Sequence, residues 1–511
     1  MTIIEILKSS SQKYKQKTAL VFCEQEINYA ELYSMSLKVA SGLQSVGINP
    51  GDHVALLLKN CPEFIYTIFA LSHIGACAIP INFYLKPEEI AFICSDSRTC
   101  GLVTQSAFLP TVRSVQEKYG GLNNIWITDV KNDFQDPQHK PYAQLTENKS
   151  AETNSNASGE TTVLILYTSG TTGKSKGVML TENNLTSNAL AAIQALDLNS
   201  TDRFICILPM FHVFAWTANI LVPLYLGCPI VIVESIRPPK LWLSLMNKHK
   251  ITIFAAVPQI YALLAEQAKG LKKWVLKYLY FSKVRFAISG AAPLQVETMK
   301  KFEDEFGIPL LQGYGLTETS PVATVNTLSM KKDGTVGKPI PDVKIKIIDE
   351  NENALSSDQE GEICIKGPNI MKGYYGQDQS TKEAFTKDGW FKTGDVGVID
   401  SEGFLRIQDR IKDMIIVKGL KVFSVQIEEI LLNHPAVAEA AVVGIPDDSG
   451  NETIKGFVIL KSGFNIDKLE LMKLCQEKLP PYKRPRDIEI RKELPKNALQ
   501  KILKKDLRKQ G

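Results

Sequence analysis

No stretch of this chain supplies the roughly 20 uninterrupted apolar residues that a bilayer span requires. The two most apolar runs, 64–80 and 220–233, are broken by Ser72, His73, Gly75, Pro223, Gly227 and Pro229. They read as buried core elements, and only peripheral contact with a membrane stays open. The nine cysteines form no CxxC pair, and no histidine stands at metal-ligand spacing from them. That excludes a zinc-ribbon or disulfide-scaffold reading and suggests small apolar residues in a reducing compartment. The N-terminus lacks the basic, then apolar, then small-residue order of a secretory signal, so the expected location is the cytosol. An excess of one charge is missing too, with 59 Lys and Arg against 55 Asp and Glu, which argues against a dedicated nucleic-acid binder. Fixed-period repeats and heptad runs are also lacking.

What is present is length and alternation. A chain of 511 residues exceeds what one hydrophobic core usually serves, so at least two domains are expected. After Asn28 a helical period runs through Leu32, Met35, Val39, Leu43 and Val46, followed by a strand-like run at 52–58 and a second helical stretch at 64–78. Apolar strand-like runs recur at 163–167, 204–208, 229–233, 253–257 and 284–289. Strands alternating with helices imply a layered α/β domain built on parallel sheet. From Gly334 the texture shifts to short strands such as 344–349 and 361–366, a β-rich subdomain. After about Arg410 it alternates again, with helices at 425–432 and 468–478 and strands at 438–444 and 456–460. The expected division is therefore a large domain at 1–409 and a small α+β domain at 410–511. Polar, aperiodic residues 146–160 read as a surface loop. The basic cluster Lys496, Lys501, Lys504, Lys505, Arg508 and Lys509 reads as a solvated helix end, although anionic lipid or a CoA phosphate would also suit it.

The strongest chemical signal is Tyr167-Thr168-Ser169-Gly170-Thr171-Thr172-Gly173-Lys174-Ser175-Lys176-Gly177, directly after an apolar strand. Amides freed by glycine, hydroxyl donors and two ammonium groups can surround phosphate oxygens. A Walker A loop needs four residues between its first Gly and its Gly-Lys; here two separate Gly170 from Gly173, which excludes a P-loop NTPase. Further candidates are Gly313-Tyr314-Gly315-Leu316-Thr317-Glu318-Thr319, Ser289-Gly290-Ala291-Ala292-Pro293, Thr393-Gly394-Asp395 with Asp409-Arg410, His212 in Pro209-Met210-Phe211-His212, and Leu494-Pro495-Lys496-Asn497-Ala498-Leu499-Gln500-Lys501. Taken singly, a Glu beside glycines is usually a solvated turn and a lone His on an apolar segment a core residue.

Together, in this order and spacing, these segments resemble the motifs of the adenylate-forming superfamily of acyl-CoA synthetases, peptide-synthetase adenylation domains and luciferases. The likeness covers nearly the whole chain and looks nearest to medium- and long-chain fatty acid–CoA ligases. It implies ATP bound by Thr168 to Lys174, adenine stacked on Tyr314 beside Gly290, Ala291 and Ala292, and phosphate contact from Thr317. It further implies Mg²⁺ on Glu318, ribose hydroxyls gripped by Asp395 and Arg410, and Lys501 at the scissile phosphoanhydride. His212 would lie beside the reacting carboxylate, with Gly290 and Gly315 lining the acyl site, Trp216 closing an acyl tunnel and Lys412 acting as the hinge of a mobile C-terminal domain.

The expected chemistry is acyl-AMP formation followed by transfer to the thiol of CoA. Residues 213–227 are largely apolar and no acid stands ready to bind an amino group, which favours a fatty acid. This chain departs from the family pattern at Gln500, where Gly is usual before Lys501, at Ser424, where Pro is common, and at Ile416. The last two leave the phosphopantetheine of an acyl carrier protein as an alternative acceptor, and Gln500 alone favours a non-catalytic nucleotide switch.

Overall fold

The computed structural model describes residues 1–131, 136, 139–147, 155–168, 175–417, 420–446, 452–496 and 502–509. Packing divides the chain into two compact units. The first holds 1–333, 337–344 and 365–391; the second holds 334–336, 345–364 and 392–511. The short β-rich strands thus pack largely with the C-terminal residues.

The first unit is built on two sheets. In one, parallel strands Cys77–Pro80, His53–Leu57, Gly101–Thr104 and Asn124–Ile127 continue into Thr162–Thr168, which pairs antiparallel with Lys176–Thr181. In the other, Ile230–Ile232, Phe204–Cys206, Ile253–Ala256, Phe286–Ser289 and Leu310–Gly315 run parallel, and antiparallel Val322–Val325 follows. The parallel strands are buried throughout or nearly so, except Leu310–Gly315, which is half-buried from Gln312 onward; such burial is the mark of sheet covered on both faces. Beneath the second sheet, Trp242, Phe254, Tyr261, Phe281, Phe302 and Phe306 share one core, with Phe254 against Phe281 at 5.5 Å. Among the described residues, no helix is long and apolar enough to cross a membrane.

Local chemistry explains the boundaries. Asn28 caps helix Tyr29–Ser45 in a capping box with Glu31, satisfying orphan amides at its start. The helical stretch expected at 64–78 stops earlier. Helix Pro62–Ile74 ends at Gly75, which adopts φ 83°, and Cys77 already belongs to the next strand. A left-handed C-cap glycine ends the ladder while the apolar run continues into sheet.

The second unit contains a four-stranded sheet in the order Lys344–Ile348, Gly361–Lys366, Phe391–Ile399, Leu405–Arg410. It also contains a three-stranded sheet, Val437–Pro446, Glu452–Leu460 and Asp487–Ile490, whose core includes Ile427 and Leu431 of helix Ser424–Leu432 and Leu471 and Cys475 of helix Lys468–Lys478.

The basic tail is only in part a solvated helix end: Lys505 and Lys509 are exposed, Lys501 lies outside the described residues, and the other three cations are paired. Lys504 Nζ lies 2.7 Å from Glu428 and donates to Ser424 Oγ at 2.7 Å; Lys496 pairs with Glu439 at 2.6 Å and Arg508 with Asp413 at 3.2 Å. Each of these cations meets a half-buried carboxylate, which gains from a partner of opposite charge.

Candidate active site

In an open α/β sheet, ligands bind beyond the carboxyl ends of the strands, and the candidate residues of the first unit collect there. His212 follows Phe204–Cys206, Gly290 follows Phe286–Ser289, and Tyr314 and Gly315 end Leu310–Gly315, all within one sheet. Thr168 ends its own strand opposite Lys176 in the register. Ser169, Gly170, Thr171, Thr172, Gly173 and Lys174 lie outside the described residues, as do Gln500 and Lys501.

His212 caps a short helix, and its Nδ1 accepts the Phe214 N–H at 3.2 Å. In the neutral ring that bond leaves the proton on Nε2. Burial pushes its pKa down to about 4, so at neutral pH the imidazole is an uncharged N–H donor. Phe214, two residues on, presents its ring to Gly290, where a Cβ would come within 3.2 Å of it. Ala291 follows at φ 68°, turning the chain beyond the strand; Ala292 is half-buried and next in line. Trp216 is fully buried. Its Nε1 donates to Met210 O at 2.8 Å, and its ring packs between Phe64 at 6.2 Å and Phe69 at 6.3 Å.

The turn after Leu310–Gly315 is tight. A Cβ on Gly315 would stand 1.7 Å from Pro321 O, so only glycine fits the close passage of the two segments. Thr317 and Glu318 occupy the following 3₁₀ turn, both half-buried. Glu318 is braced twice: its carbonyl accepts the Met371 N–H at 2.9 Å, and its Oε1 accepts the Tyr374 hydroxyl at 3.1 Å. Lys176 Nζ sits 4.9 Å above the Tyr374 ring. Burial first, and Glu318 second, push the Tyr374 phenol well above its usual range, so it stays a donor. Sequence reasoning missed Tyr374. Nothing in its local pattern marks it, because it reaches Glu318 only when strand Gly373–Tyr374 pairs with Lys176–Thr181.

In the second unit, Asp395 and Arg410 face each other in register on neighbouring antiparallel strands. Arg410 Nε lies 3.0 Å from the buried Asp395 Oδ1. Asp409 is also buried. Its Oδ2 accepts both the N–H and the hydroxyl of Ser424, at 2.6 and 2.7 Å, while its Oδ1 accepts the Arg410 N–H at 2.7 Å. Lys412 follows in the 3₁₀ turn Ile411–Asp413, exposed at the surface, where partial desolvation, and next the Arg410 guanidinium, lower its pKa.

The arrangement defines a class. A neutral imidazole donor, a braced single carboxylate and a hydroxyl-bearing turn at the strand ends suit an enzyme that handles an acid and a phosphate chain. The AMP-binding enzyme family matches over residues 7–375, and the AMP-binding enzyme C-terminal domain over residues 426–501. A long-chain-fatty-acid–CoA ligase of Bacillus subtilis (strain 168) is 34% identical, across 99% of this chain and 94% of its own length. The 4-coumarate–CoA ligase 1 of Petroselinum crispum is 34% identical, across 94% of this chain and 88% of its own. Among solved structures, ATP-bound MatB from Rhodopseudomonas palustris superposes with a TM-score of 0.90 at 28% identity, covering 100% of this chain and 99% of that one. The chain therefore belongs to the AMP-binding enzyme family of adenylate-forming enzymes, and its class is that of the AMP-forming acid–thiol ligases.

Proposed function

We propose that this enzyme activates a medium- or long-chain fatty acid with ATP and transfers the acyl group from acyl-AMP to the thiol of CoA. The observation that carries the reading is His212, an uncharged N–H donor set at the start of an apolar helical run. A cationic imidazole would hold the carboxylate back as an ion pair. A neutral one can orient it while leaving an oxygen lone pair nucleophilic. Val213, Phe214, Ala215, Ile220, Leu221, Val222 and Leu224 are all buried in the run that follows, apolar surroundings that suit an alkyl chain. The names of the related ligases support an acid–CoA reaction.

A carboxylate has no good leaving group, so one oxygen must first become part of one. The bound acid attacks the α-phosphorus in line with departing pyrophosphate, the new C–O–P bond forming as the phosphoanhydride breaks. The CoA thiol then loses its proton, attacks the acyl carbon and expels AMP. Thr168, the loop 169–174 and Thr317 take the phosphate oxygens in this reading, Tyr314 stacks on adenine, and Asp395 and Arg410 hold the ribose. Lys501 supplies positive charge to the breaking anhydride. We assign the ATP- and acid-binding work to 1–409 and the carriage of Lys501 to 410–511, with Lys412 at the pivot.

Mg²⁺ fits one residue. Among the described residues no group of three acidic, imidazole or thiol ligands forms a cage, and Mg²⁺ is characteristically held by one or two carboxylates together with substrate phosphates. Glu318 would hold it, and the ion would neutralise charge on the transferring phosphates. The nine thiols are all unpaired, which supports a reducing, cytoplasmic setting.

The test is pyrophosphate release with ATP, Mg²⁺ and acids from acetate to palmitate, with and without CoA. Medium or long chains driving release, with acyl-CoA appearing, is the expected result. Accumulated acyl-AMP that ignores CoA would move the acceptor to a carrier protein, and silence with every acid would end the catalytic reading.

A further inference from the structure

Residues 268–285 contain six basic side chains, Lys269, Lys272, Lys273, Lys277, Lys283 and Arg285, and no acid. They span α-helix Gly270–Trp274 and the π-helical continuation Val275–Tyr280. The segment is anchored from beneath: Leu276 and Phe281 are buried in the aromatic core, with Phe281 5.0 Å from Phe306. Its outer side is the reverse of what a solvated helix shows. Leu271 is 79% exposed, Trp274 60% and Tyr278 59%, and their spacing of three and four residues puts them on one face. The Trp274 and Tyr278 rings lie 5.8 Å apart, forming one apolar ridge.

The charged side chains of the segment itself are all basic. Lys273 is neutralised by Glu305 at 2.6 Å and Arg285 by Asp202 at 2.7 Å. Lys269, Lys272 and Lys283 are exposed, and Lys277 Nζ sits 5.8 Å above the Tyr278 ring. The cores of protein interfaces are depleted in lysine. By contrast, helices that lie in the plane of a membrane combine Trp and Leu on one face with Lys on its flanks, whose alkyl stems lie along the apolar zone while the ammonium reaches the headgroups. Trp and Tyr favour that same depth.

We propose that segment 270–280 docks on the surface of an anionic lipid bilayer, inserting Leu271, Trp274 and Tyr278 while Lys269, Lys272 and Lys277 meet the headgroups. The docking is peripheral and reversible, and it stands apart from the identity of the acid because its test reads binding rather than turnover.

The full-length protein is sedimented with vesicles of phosphatidylcholine alone or with about a third phosphatidylglycerol, at two salt concentrations. Binding is expected only to the anionic vesicles and weakens as salt rises, since surface charge is screened. Lys269→Glu with Lys272→Glu lowers the partition coefficient by about 25-fold or more, and Trp274→Ala lowers it by about tenfold. Trp274 is the exposed one of five tryptophans, so wild-type fluorescence shifts to the blue on binding, whereas Trp274→Phe sediments with vesicles but loses that shift. Circular dichroism and pyrophosphate release confirm that each variant is folded. Absence of wild-type binding, or full binding by the charge-reversed variant, overturns the proposal. So does a wild-type dimer that Trp274→Ala converts to monomer without any vesicle binding, since a second copy would then cover the ridge.

Discussion

Ser424→Pro will destabilise the unit that carries Asp409 by about 3 kcal/mol, twice the cost of Ser424→Ala or more. Proline is sterically acceptable there. Ser424 is the first residue of its helix, a position that proline favours, and Phe423 before it is extended at φ −86° and ψ 119°. The cost is therefore almost entirely in hydrogen bonding. Asp409 and Ser424 are buried, and Asp409 Oδ2 takes both the amide and the hydroxyl of Ser424. A hydrogen bond to a charged group contributes roughly 1.5–3 kcal/mol. The two share one oxygen, so their combined loss is about 3 kcal/mol rather than the full sum. Alanine removes only the hydroxyl, about 1.5 kcal/mol. The Lys504 ammonium that donates to that hydroxyl, a bond lost equally in both variants, keeps Glu428 as its partner. In a unit of this size each kcal/mol moves Tm by roughly 2–4 °C, so the proline variant should melt about 6 °C or more below wild type and the alanine variant about half as far. Differential scanning calorimetry, with hydrogen exchange read over helix Ser424–Leu432, measures both. A proline variant as stable as the alanine one would show that the amide bond to Asp409 contributes nothing, and the reasoning would fail.

Tyr374→Phe removes the hydroxyl that braces Glu318 while keeping the ring beneath Lys176. It should raise the KM for MgATP by about tenfold, with the fold intact, and an unchanged Mg²⁺ dependence in initial-rate assays would refute the brace. His212 should appear in ¹⁵N NMR as the Nε2–H tautomer and stay neutral down to about pH 4. Its folded pKa lies below the unfolded 6.5, so the unfolded chain binds more protons between those values and stability falls as pH drops through that window. His212→Gln should flatten that part of the pH–stability curve, and an unaltered slope would count against the neutral ring. Lys501→Ala should slow adenylation by roughly a hundredfold or more yet spare thiol transfer from preformed acyl-AMP; equal loss in both half-reactions would remove its assigned role.

Periodicity and motif order carried a great deal. Strand Gly361–Lys366 and helix Lys468–Lys478 begin and end where the pattern places them, because each is a clean apolar period bounded by breakers. The alternation of strand and helix also foretold parallel sheet. Where the pattern misled, two elements shared one apolar run: residues 64–78 read as a single helix because buried helix and buried strand are equally apolar, and only the left-handed turn at Gly75 separates them.

The sequence by itself determined the family and the chemical inventory, since motif residues lie close together along the chain and their types are set by what phosphate and carboxylate demand. Tertiary structure alone decided which partners those residues meet. Tyr374 reaches Glu318 across 56 positions, and Lys504 reaches Ser424 across 80. Local periodicity constrains neighbours three or four apart, whereas these contacts exist only once sheet register and helix packing have brought distant segments within hydrogen-bonding distance.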